Sequence, residues 1–372
     1  MARAGARIRT QRRRVSRLAA LLVGLVAGCL APAPPPASTP PTRQWEPAGP
    51  VRAQLLALHG FGDHKGAFEG LGAFLAGRGI RTLAYDQRGF GEQPDRAFWA
   101  GTGPLAADLR GTLGRLRAER PDLPLLLLGE SMGAAVALVA LADPAAPAVD
   151  GLVLVAPAVW GGETLAPLYR GLMRGLAAVL PGLRVSGRGL PVRAAEDVDL
   201  LRSLARDPLY VREPTAAAVA GLIELMDAAR ATGPALAART LLLVPGRDDI
   251  VPTEVQLSFA RTIAAADCRL LLYPEARHLL LRDRARRTAW GDLLAWVLDE
   301  TIPSGPARPC RGTDGAREPA AGARPTAQSS HQVASARKVR KPIASIVGVT
   351  NTEEAIAGSK PSRSSNSGTA TP

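Results

Sequence analysis

The stretch LLLLGESMGA at residues 125–134 decides the fold. Four consecutive leucines followed by a glycine are typical of a strand that is covered on both faces of a sheet. Ala134 then opens a run of small apolar residues with helical character. Ser131 stands between the two in a Gly-x-Ser-x-Gly pattern, in which a sharp turn lifts the serine side chain above the end of the sheet. We therefore interpret Ser131 as a nucleophile, and the alternative is a serine that only caps a helix.

A serine nucleophile needs a base and a group that orients the base. For a serine on such a turn, the chain order is serine, acid, histidine. His278 follows a candidate strand and is the only histidine between Ser131 and the C-terminal tail, so it is the predicted base. Two adjacent residues, Asp248 and Asp249, follow an earlier strand. We favour Asp249 as the acid, because it stands three residues after Gly246 and directly before an apolar Ile-Val-Pro segment, and Asp248 is the alternative.

The oxyanion of an acyl-transfer reaction also needs backbone N–H donors. One donor is predicted at Met132, the residue after the nucleophile, and the other in an early loop. Residues 58–64, LHGFGDH, follow the first candidate strand and provide that loop, with Phe61 as the predicted donor. We interpret His59 as a residue that holds the loop by hydrogen bonds.

Apolar runs alternate with amphipathic segments between residues 51 and 302. The runs predict strands over residues 54–58, 81–85, 125–128, 152–155, 240–244 and 269–273. Strands that alternate with helices predict the α/β class, with a mostly parallel sheet and helices on both faces. Residues 160–237 contain helical patterns but no convincing strand, which predicts an inserted helical cap.

Together these segments resemble the α/β-hydrolase superfamily, particularly its monoacylglycerol lipase and lysophospholipase group. The resemblance covers residues 51–302 and rests on the segments 59–64, 86–91, 129–133, 246–252 and 273–278. It implies an eight-stranded sheet, a helical cap over the site, and hydrolysis of acylglycerol or lysophospholipid esters without a cofactor. The chain departs from the family pattern at Asp63, where glutamate is usual, at Ala67, where arginine is usual, and at Glu130, where histidine is commoner.

The formal net charge of +13 comes from the two ends of the chain. Residues 1–28 contain seven arginines and no acidic residue, and residues 303–372 contain ten basic and four acidic residues. The intervening residues 29–302 contain 29 residues of each sign. A neutral body offers no electrostatic footprint for a phosphate backbone, which argues against nucleic-acid binding. The three cysteines, at positions 29, 268 and 310, predict neither a disulfide framework nor a metal site.

The N-terminal residues 1–28 have the features of a secretory signal peptide. An arginine-rich start precedes an apolar run over residues 18–30, which is too short to span a bilayer as a helix. The Val-Ala-Gly-Cys sequence that ends at Cys29 resembles a bacterial lipobox, which implies cleavage before the cysteine and lipid attachment to its sulfur. Residues 29–50 predict a proline-rich tether, and residues 303–372 predict a disordered basic tail. We therefore expect a membrane-anchored lipoprotein of a bacterial cell envelope, and the alternative is a buried cysteine in an ordinary helix.

The predicted function is hydrolysis of carboxylic esters by a triad of Ser131, His278 and Asp249 through an acyl-enzyme. The expected substrate is a lipid or small-molecule acyl ester, and no cofactor or metal is expected. An acyltransferase or a short-chain esterase on the same triad is an open alternative. So is an inactive hydrolase fold that serves as an envelope scaffold.

Overall fold

The structure is a computed structural model that describes residues 40–161, 167–186, 192–305 and 307–311. The predicted signal segment, Cys29 and the residues after 311 lie outside the described residues. None of the described helices combines the length and the hydropathy of a membrane-spanning segment.

One eight-stranded sheet, in the order β1-β3-β2-β4-β5-β6-β7-β8, organises the described residues. The strands are β1 Thr42–Trp45, β2 Ala53–Leu58, β3 Ile80–Tyr85, β4 Leu125–Glu130, β5 Gly151–Val155, β6 Thr240–Pro245, β7 Cys268–Tyr273 and β8 Arg308–Pro309. The six inner strands are parallel, whereas β1 and β8 pair antiparallel with β3 and β7. Each predicted strand coincides with one inner strand to within about two residues at either end, and the predicted α/β class is confirmed.

Helices cover both faces of this sheet. They are α1 Glu69–Ala76, α2 Thr102–Glu119, α3 Met132–Leu141, α4 Pro167–Val179, α5 Val198–Arg206, α6 Ala216–Ala231, α7 Thr253–Ala260 and α8 Arg286–Val297. Successive side chains of β4 enter two separate cores, because Leu127 packs with α2 and α3 while Leu126 and Leu128 pack with α1 and α8. Full burial of one leucine contributes about 2 kcal/mol. Burial on both faces explains why this strand is an unbroken apolar run.

The helices α4, α5 and α6 lie between β5 and β6, where the sequence predicts the cap. Hydrogen bonds join this cap to loops at the carboxyl ends of the strands. Val211 donates its N–H to the carbonyl of Gly62 at 2.7 Å, in the loop after β2. The Asp283 carboxylate, in the segment after β7, accepts the N–H groups of Glu196 and Asp197 at 2.7 and 2.9 Å.

The two edge strands correct the predicted domain boundaries. Thr42–Trp45 belongs to the sheet, although it falls within the tether predicted over residues 29–50. Arg308–Pro309 also belongs to the sheet, although it falls within the tail predicted from residue 303. Both strands are short and partly polar, so they carry no periodicity that would predict them. Their pairing with a buried neighbouring strand makes them part of the sheet.

A disulfide joins Cys268, the first residue of β7, to Cys310, directly after β8. The Cα atoms of the two cysteines are 5.3 Å apart, and 42 positions separate them in the chain. The sequence did not predict this bond, because three cysteines at such spacings give no indication of a pair. The bond holds the C-terminal edge strand against the sheet.

Replacing Cys310 by serine is expected to lower the thermal unfolding midpoint by about 5–10 °C, since a crosslink that closes a loop of this length contributes roughly 2–4 kcal/mol. Differential scanning calorimetry with and without dithiothreitol measures the change. Reductant should lower the midpoint of the wild type to that of the variant and leave the variant unchanged. Equal midpoints for the oxidised wild type and the variant would contradict a stabilising role for the bond.

Candidate active site

Ser131 occupies the turn between β4 and α3, with φ of +55° and ψ of −115°. A positive φ at a residue with a side chain is strained and persists only where the surrounding structure fixes it. Two glycines make the tight turn possible. A Cβ at Gly129 would lie 2.5 Å from the backbone of α3, and a Cβ at Gly133 would lie 2.2 Å from the carbonyl oxygen of Leu58. The strand–turn–helix arrangement predicted around Ser131 is therefore present.

His278 is buried in the loop after β7 and contacts both Ser131 and Asp248. Its Nε2 lies 2.9 Å from the Oγ of Ser131, and its Nδ1 lies 2.7 Å from the Oδ2 of Asp248. An ionised carboxylate can only accept, so this contact assigns the ring proton to Nδ1 and leaves Nε2 to accept from the serine hydroxyl. The three side chains thus form one hydrogen-bonded chain across the carboxyl ends of β4, β6 and β7.

The carboxylate at His278 belongs to Asp248, which corrects the choice of Asp249 made from the sequence. Asp248 is buried, and its Oδ1 accepts two backbone N–H groups of its own loop at 2.8 and 2.9 Å. Its Oδ2 also accepts from the side-chain amide of Gln256 at 2.9 Å. These bonds fix the carboxylate in the position where it meets the imidazole.

Asp249 instead forms an ion pair with Arg277, the residue before His278. Arg277 also pairs with Glu196 of the cap, so Asp249 belongs to a contact between the loops and the cap. Neighbouring side chains in a loop project in different directions, and only one of the two aspartates reaches the histidine. The arginine next to the candidate base indicates that one of the two adjacent carboxylates has a competing partner, but the sequence does not show which one.

The surroundings of His278 favour its charged form. Burial is the largest single influence and lowers the pKa of this histidine, as Arg282 does to a smaller extent. The charge and hydrogen bond of Asp248, together with the charge of Glu130, raise the pKa and outweigh these effects. The pKa of His278 therefore lies above its ordinary value. An imidazolium that forms here during a reaction is stabilised by its neighbours.

The residues predicted as oxyanion donors, Phe61 and Met132, lie beside Ser131. Met132 is the first residue of α3, so its N–H is among the donors that a helix start leaves without an intrahelical partner. A Cβ at Gly60 would lie 3.4 Å from the Cβ of Ser131 and 3.9 Å from its Oγ, which places the loop of Phe61 against the serine. Phe61 lines the same cavity as Ser131.

His59 holds this loop through hydrogen bonds on both ring nitrogens, as the sequence predicts. Its Nδ1 donates to the carbonyl of Gly60 at 2.8 Å, and its Nε2 accepts the N–H of Gln87 at 3.0 Å. The side-chain amide of Gln87 donates to the carbonyl of His59 at 2.8 Å. Burial lowers the pKa of His59, so the ring stays neutral and keeps these bonds.

A cavity lies over Ser131 between the sheet loops and the cap. Much of its wall is apolar, formed by Phe61, Ala158, Trp160, Leu222, Met226, Ile250, Val251 and Leu279. Polar side chains complete the wall, namely Asp63, Glu130, Tyr210 and Arg282 besides Ser131 and His278. Because Leu222 and Met226 come from α6, the cap supplies part of the apolar surface. In the part of the chain that the structure describes, no three His, Cys, Asp or Glu side chains are grouped to hold a metal ion.

A sheet of this order with a serine on the turn after β4 defines an α/β-hydrolase. The chain belongs to the family described as serine aminopeptidase S33, which matches residues 49–285. It is 28% identical over 281 residues to human monoglyceride lipase, across 72% of this chain and 89% of that one. It is 23% identical to a monoacylglycerol lipase of Mycolicibacterium smegmatis, across 68% of this chain and 91% of that one.

The crystal structure of a monoacylglycerol lipase of Paleococcus ferrophilus shares the fold. Its TM-score is 0.61 at 20% identity, with 69% of this chain and 98% of that chain covered. The family and these relatives show that the protein is a carboxylic ester hydrolase.

Proposed function

We propose that the protein is a serine hydrolase that cleaves monoacylglycerol or lysophospholipid acyl esters through a triad of Ser131, His278 and Asp248. The observation that carries the proposal is the chain of two hydrogen bonds, 2.9 and 2.7 Å long, that joins these three side chains. It lies at the wall of a largely apolar cavity, where the carbonyl of a bound acyl ester can reach the serine.

The geometry supports a two-step reaction. Ser131 Oγ attacks the ester carbonyl while Nε2 of His278 takes its proton, and Asp248 stabilises the imidazolium that forms. The N–H groups of Phe61 and Met132 hold the oxyanion of the tetrahedral intermediate. The imidazolium then gives its proton to the leaving alcohol as the acyl-enzyme forms. Water, activated by the same histidine, releases the fatty acid and restores Ser131.

Two features support a lipid substrate. The cavity wall beside Ser131 is largely apolar, which favours contact with an acyl chain, since burial of each methylene contributes about 0.8 kcal/mol. The relatives compared above are a monoglyceride lipase and a monoacylglycerol lipase.

The test is a chain-length series of p-nitrophenyl esters and monoacylglycerols with the full chain. Turnover that favours long acyl chains supports the proposal. Turnover confined to short esters would leave the triad but reject the lipid substrate. Acyl transfer to added glycerol that outpaces hydrolysis would identify an acyltransferase, and no turnover by folded protein would favour a scaffold.

The rate of ester hydrolysis is expected to fall on the acid side with a midpoint above pH 6.5, the ordinary pKa of histidine. His278 accepts a proton only when neutral, so activity is lost as the pH drops through its raised pKa. Initial rates at low substrate concentration between pH 5 and 9, with buffer blanks subtracted, give this midpoint. A midpoint well below the ordinary histidine pKa would contradict the contact between His278 and the Asp248 carboxylate.

We further propose that the protein is attached to a bacterial envelope membrane by lipid on Cys29. The support is the signal-like segment before this cysteine and the disulfide between Cys268 and Cys310, because such bonds persist in oxidising compartments. Metabolic labelling with a palmitate analogue tests it. The wild type should take up the label into the membrane fraction, and a Cys29→Ser variant should not.

A further inference from the structure

Gln256 is a fully buried glutamine on α7 whose side-chain amide contacts the triad. Its Nε2 donates to Oδ2 of Asp248 at 2.9 Å and to the carbonyl oxygen of Val251 at 2.8 Å. A carboxylate and a carbonyl can only accept, so the nitrogen of the amide must face them. The amide oxygen then points away and has no hydrogen-bond partner among the described residues.

The unpaired oxygen of Gln256 is a cost that an apolar side chain would avoid. A buried carbonyl oxygen without a partner lowers the stability of a protein. Methionine has a similar length and would fill the same space without this cost. Packing therefore does not account for a glutamine at this position, and the N–H groups of its amide are what the site uses.

The two carboxylate oxygens of Asp248 have different partners. Oδ1 accepts the backbone N–H groups of Ile250 and Val251 at 2.8 and 2.9 Å. Oδ2 accepts from the amide of Gln256 and, at 2.7 Å, from Nδ1 of His278. The backbone bonds hold the carboxylate in its loop, whereas the amide acts on the oxygen that meets the imidazole.

We propose that Gln256 is a positioning residue of the triad that limits how strongly Asp248 stabilises the charged form of His278, an inference that rests on the proposed function. An amide N–H carries a partial positive charge, and here it lies close to Nδ1 because both groups donate to the same oxygen. A positive charge at this place opposes the imidazolium. Gln256 therefore keeps more of His278 neutral, which is the form that accepts the proton of Ser131.

Burial lowers the pKa of His278, and charged side chains from three elements act beside it. Asp248 from the loop after β6 and Glu130 from β4 raise this pKa, and Arg282 from the loop after β7 lowers it. The pKa of His278 already lies above its ordinary value. A further rise would leave the base protonated at neutral pH. A neutral donor on Oδ2 limits this rise without removing the carboxylate that orients the ring.

The experiment compares the pH dependence of kcat/KM for p-nitrophenyl hexanoate between the wild type and Gln256→Met. We expect the acid-side midpoint of the variant to rise by about 0.5–1 on the pH scale, the effect of one hydrogen bond to a charged group. Well above the midpoint, kcat/KM should fall only about two- to fivefold, because the backbone bonds still hold Asp248. A residue that only held the carboxylate in place would give a lower rate at every pH, with the midpoint unchanged or lowered.

Gln54→Met is the matched control. Gln54 is also buried, near the start of β2, where its amide donates to the carbonyls of Leu116 and Arg120. It lies away from the carboxyl ends of the strands, where the triad is built. The acid-side midpoint of this variant should therefore equal that of the wild type.

A measurement on the wild type tests the same contact without a variant that must fold. In protein with ¹⁵N-labelled glutamine, the side-chain amide signal of Gln256 should shift between pH 5 and 9 with the same midpoint as the ring signals of His278. The amide signal of Gln54 should not follow this midpoint. Equal midpoints of kcat/KM in the wild type and Gln256→Met, or a Gln256 signal that stays constant, would overturn the inference. Lack of ester hydrolysis by a wild type in which the two signals titrate together contradicts the proposed function alone.

Discussion

Replacement of Asp248 by asparagine is expected to lower kcat for ester hydrolysis about 10⁴-fold. Asparagine has nearly the same shape, but its amide can turn an N–H toward Nδ1 of His278. The ring then carries its proton on Nε2, where it can no longer accept from Ser131. The measurement is kcat with a p-nitrophenyl ester, after the thermal midpoint has shown that the variant is folded.

Asp249→Asn is the matched control for this change, since it alters the neighbouring carboxyl group in the same way. Asp249 contacts Arg277 and does not reach the imidazole, so kcat should stay within about tenfold of the wild type. A larger loss at Asp249 than at Asp248 would mean that the contact seen at His278 is not the one used in catalysis.

Replacement of Ser131 by alanine is expected to lower kcat about 10⁶-fold, because the reaction loses the atom that forms the acyl-enzyme. The fold should hardly change. Alanine has the same Cβ as serine, so the backbone strain of the positive φ does not change. The substitution removes only the hydrogen bond between the serine hydroxyl and His278. We expect a thermal midpoint within about 3 °C of the wild type.

Ser203→Ala serves as the control for removal of a hydroxyl group. Ser203 is exposed on the cap helix α5, where its hydroxyl donates to the carbonyl of Leu200 at 2.7 Å. This variant should retain wild-type activity. Appreciable turnover by Ser131→Ala, measured on protein free of host esterases, would refute the mechanism.

The six inner strands could be predicted because most of their residues are apolar and buried. The edge strands β1 and β8 could not, because a short strand with polar residues is defined by its neighbour and not by its own pattern. The disulfide could not be predicted for a similar reason. Cys268 and Cys310 become close only when β8 adds to the edge of the sheet, and nothing in the sequence predicts that pairing.

Ser131 and His278 could be predicted from the sequence. The glycine pattern around Ser131 identifies the serine, and His278 is the only histidine between Ser131 and the C-terminal tail. The choice between Asp248 and Asp249 could not be predicted, because it depends on contacts with residues from other elements. Gln256 on α7 donates a hydrogen bond to the Asp248 carboxylate, and Arg277 forms an ion pair with Asp249.

The surroundings of Glu130 show the same limit on prediction. Its departure from the family pattern is visible in the sequence, but its neighbour Arg282 is brought to it only by the fold.

The most direct test of the proposed triad is to label the full chain with a fluorophosphonate, which reacts with an activated serine, and to locate the label by peptide mass spectrometry. We predict one label per chain, on Ser131, with no labelling of Ser131→Ala and much slower labelling of Asp248→Asn. A label on another residue, or none on folded protein that still hydrolyses esters, would contradict the assignment of Ser131 as the nucleophile.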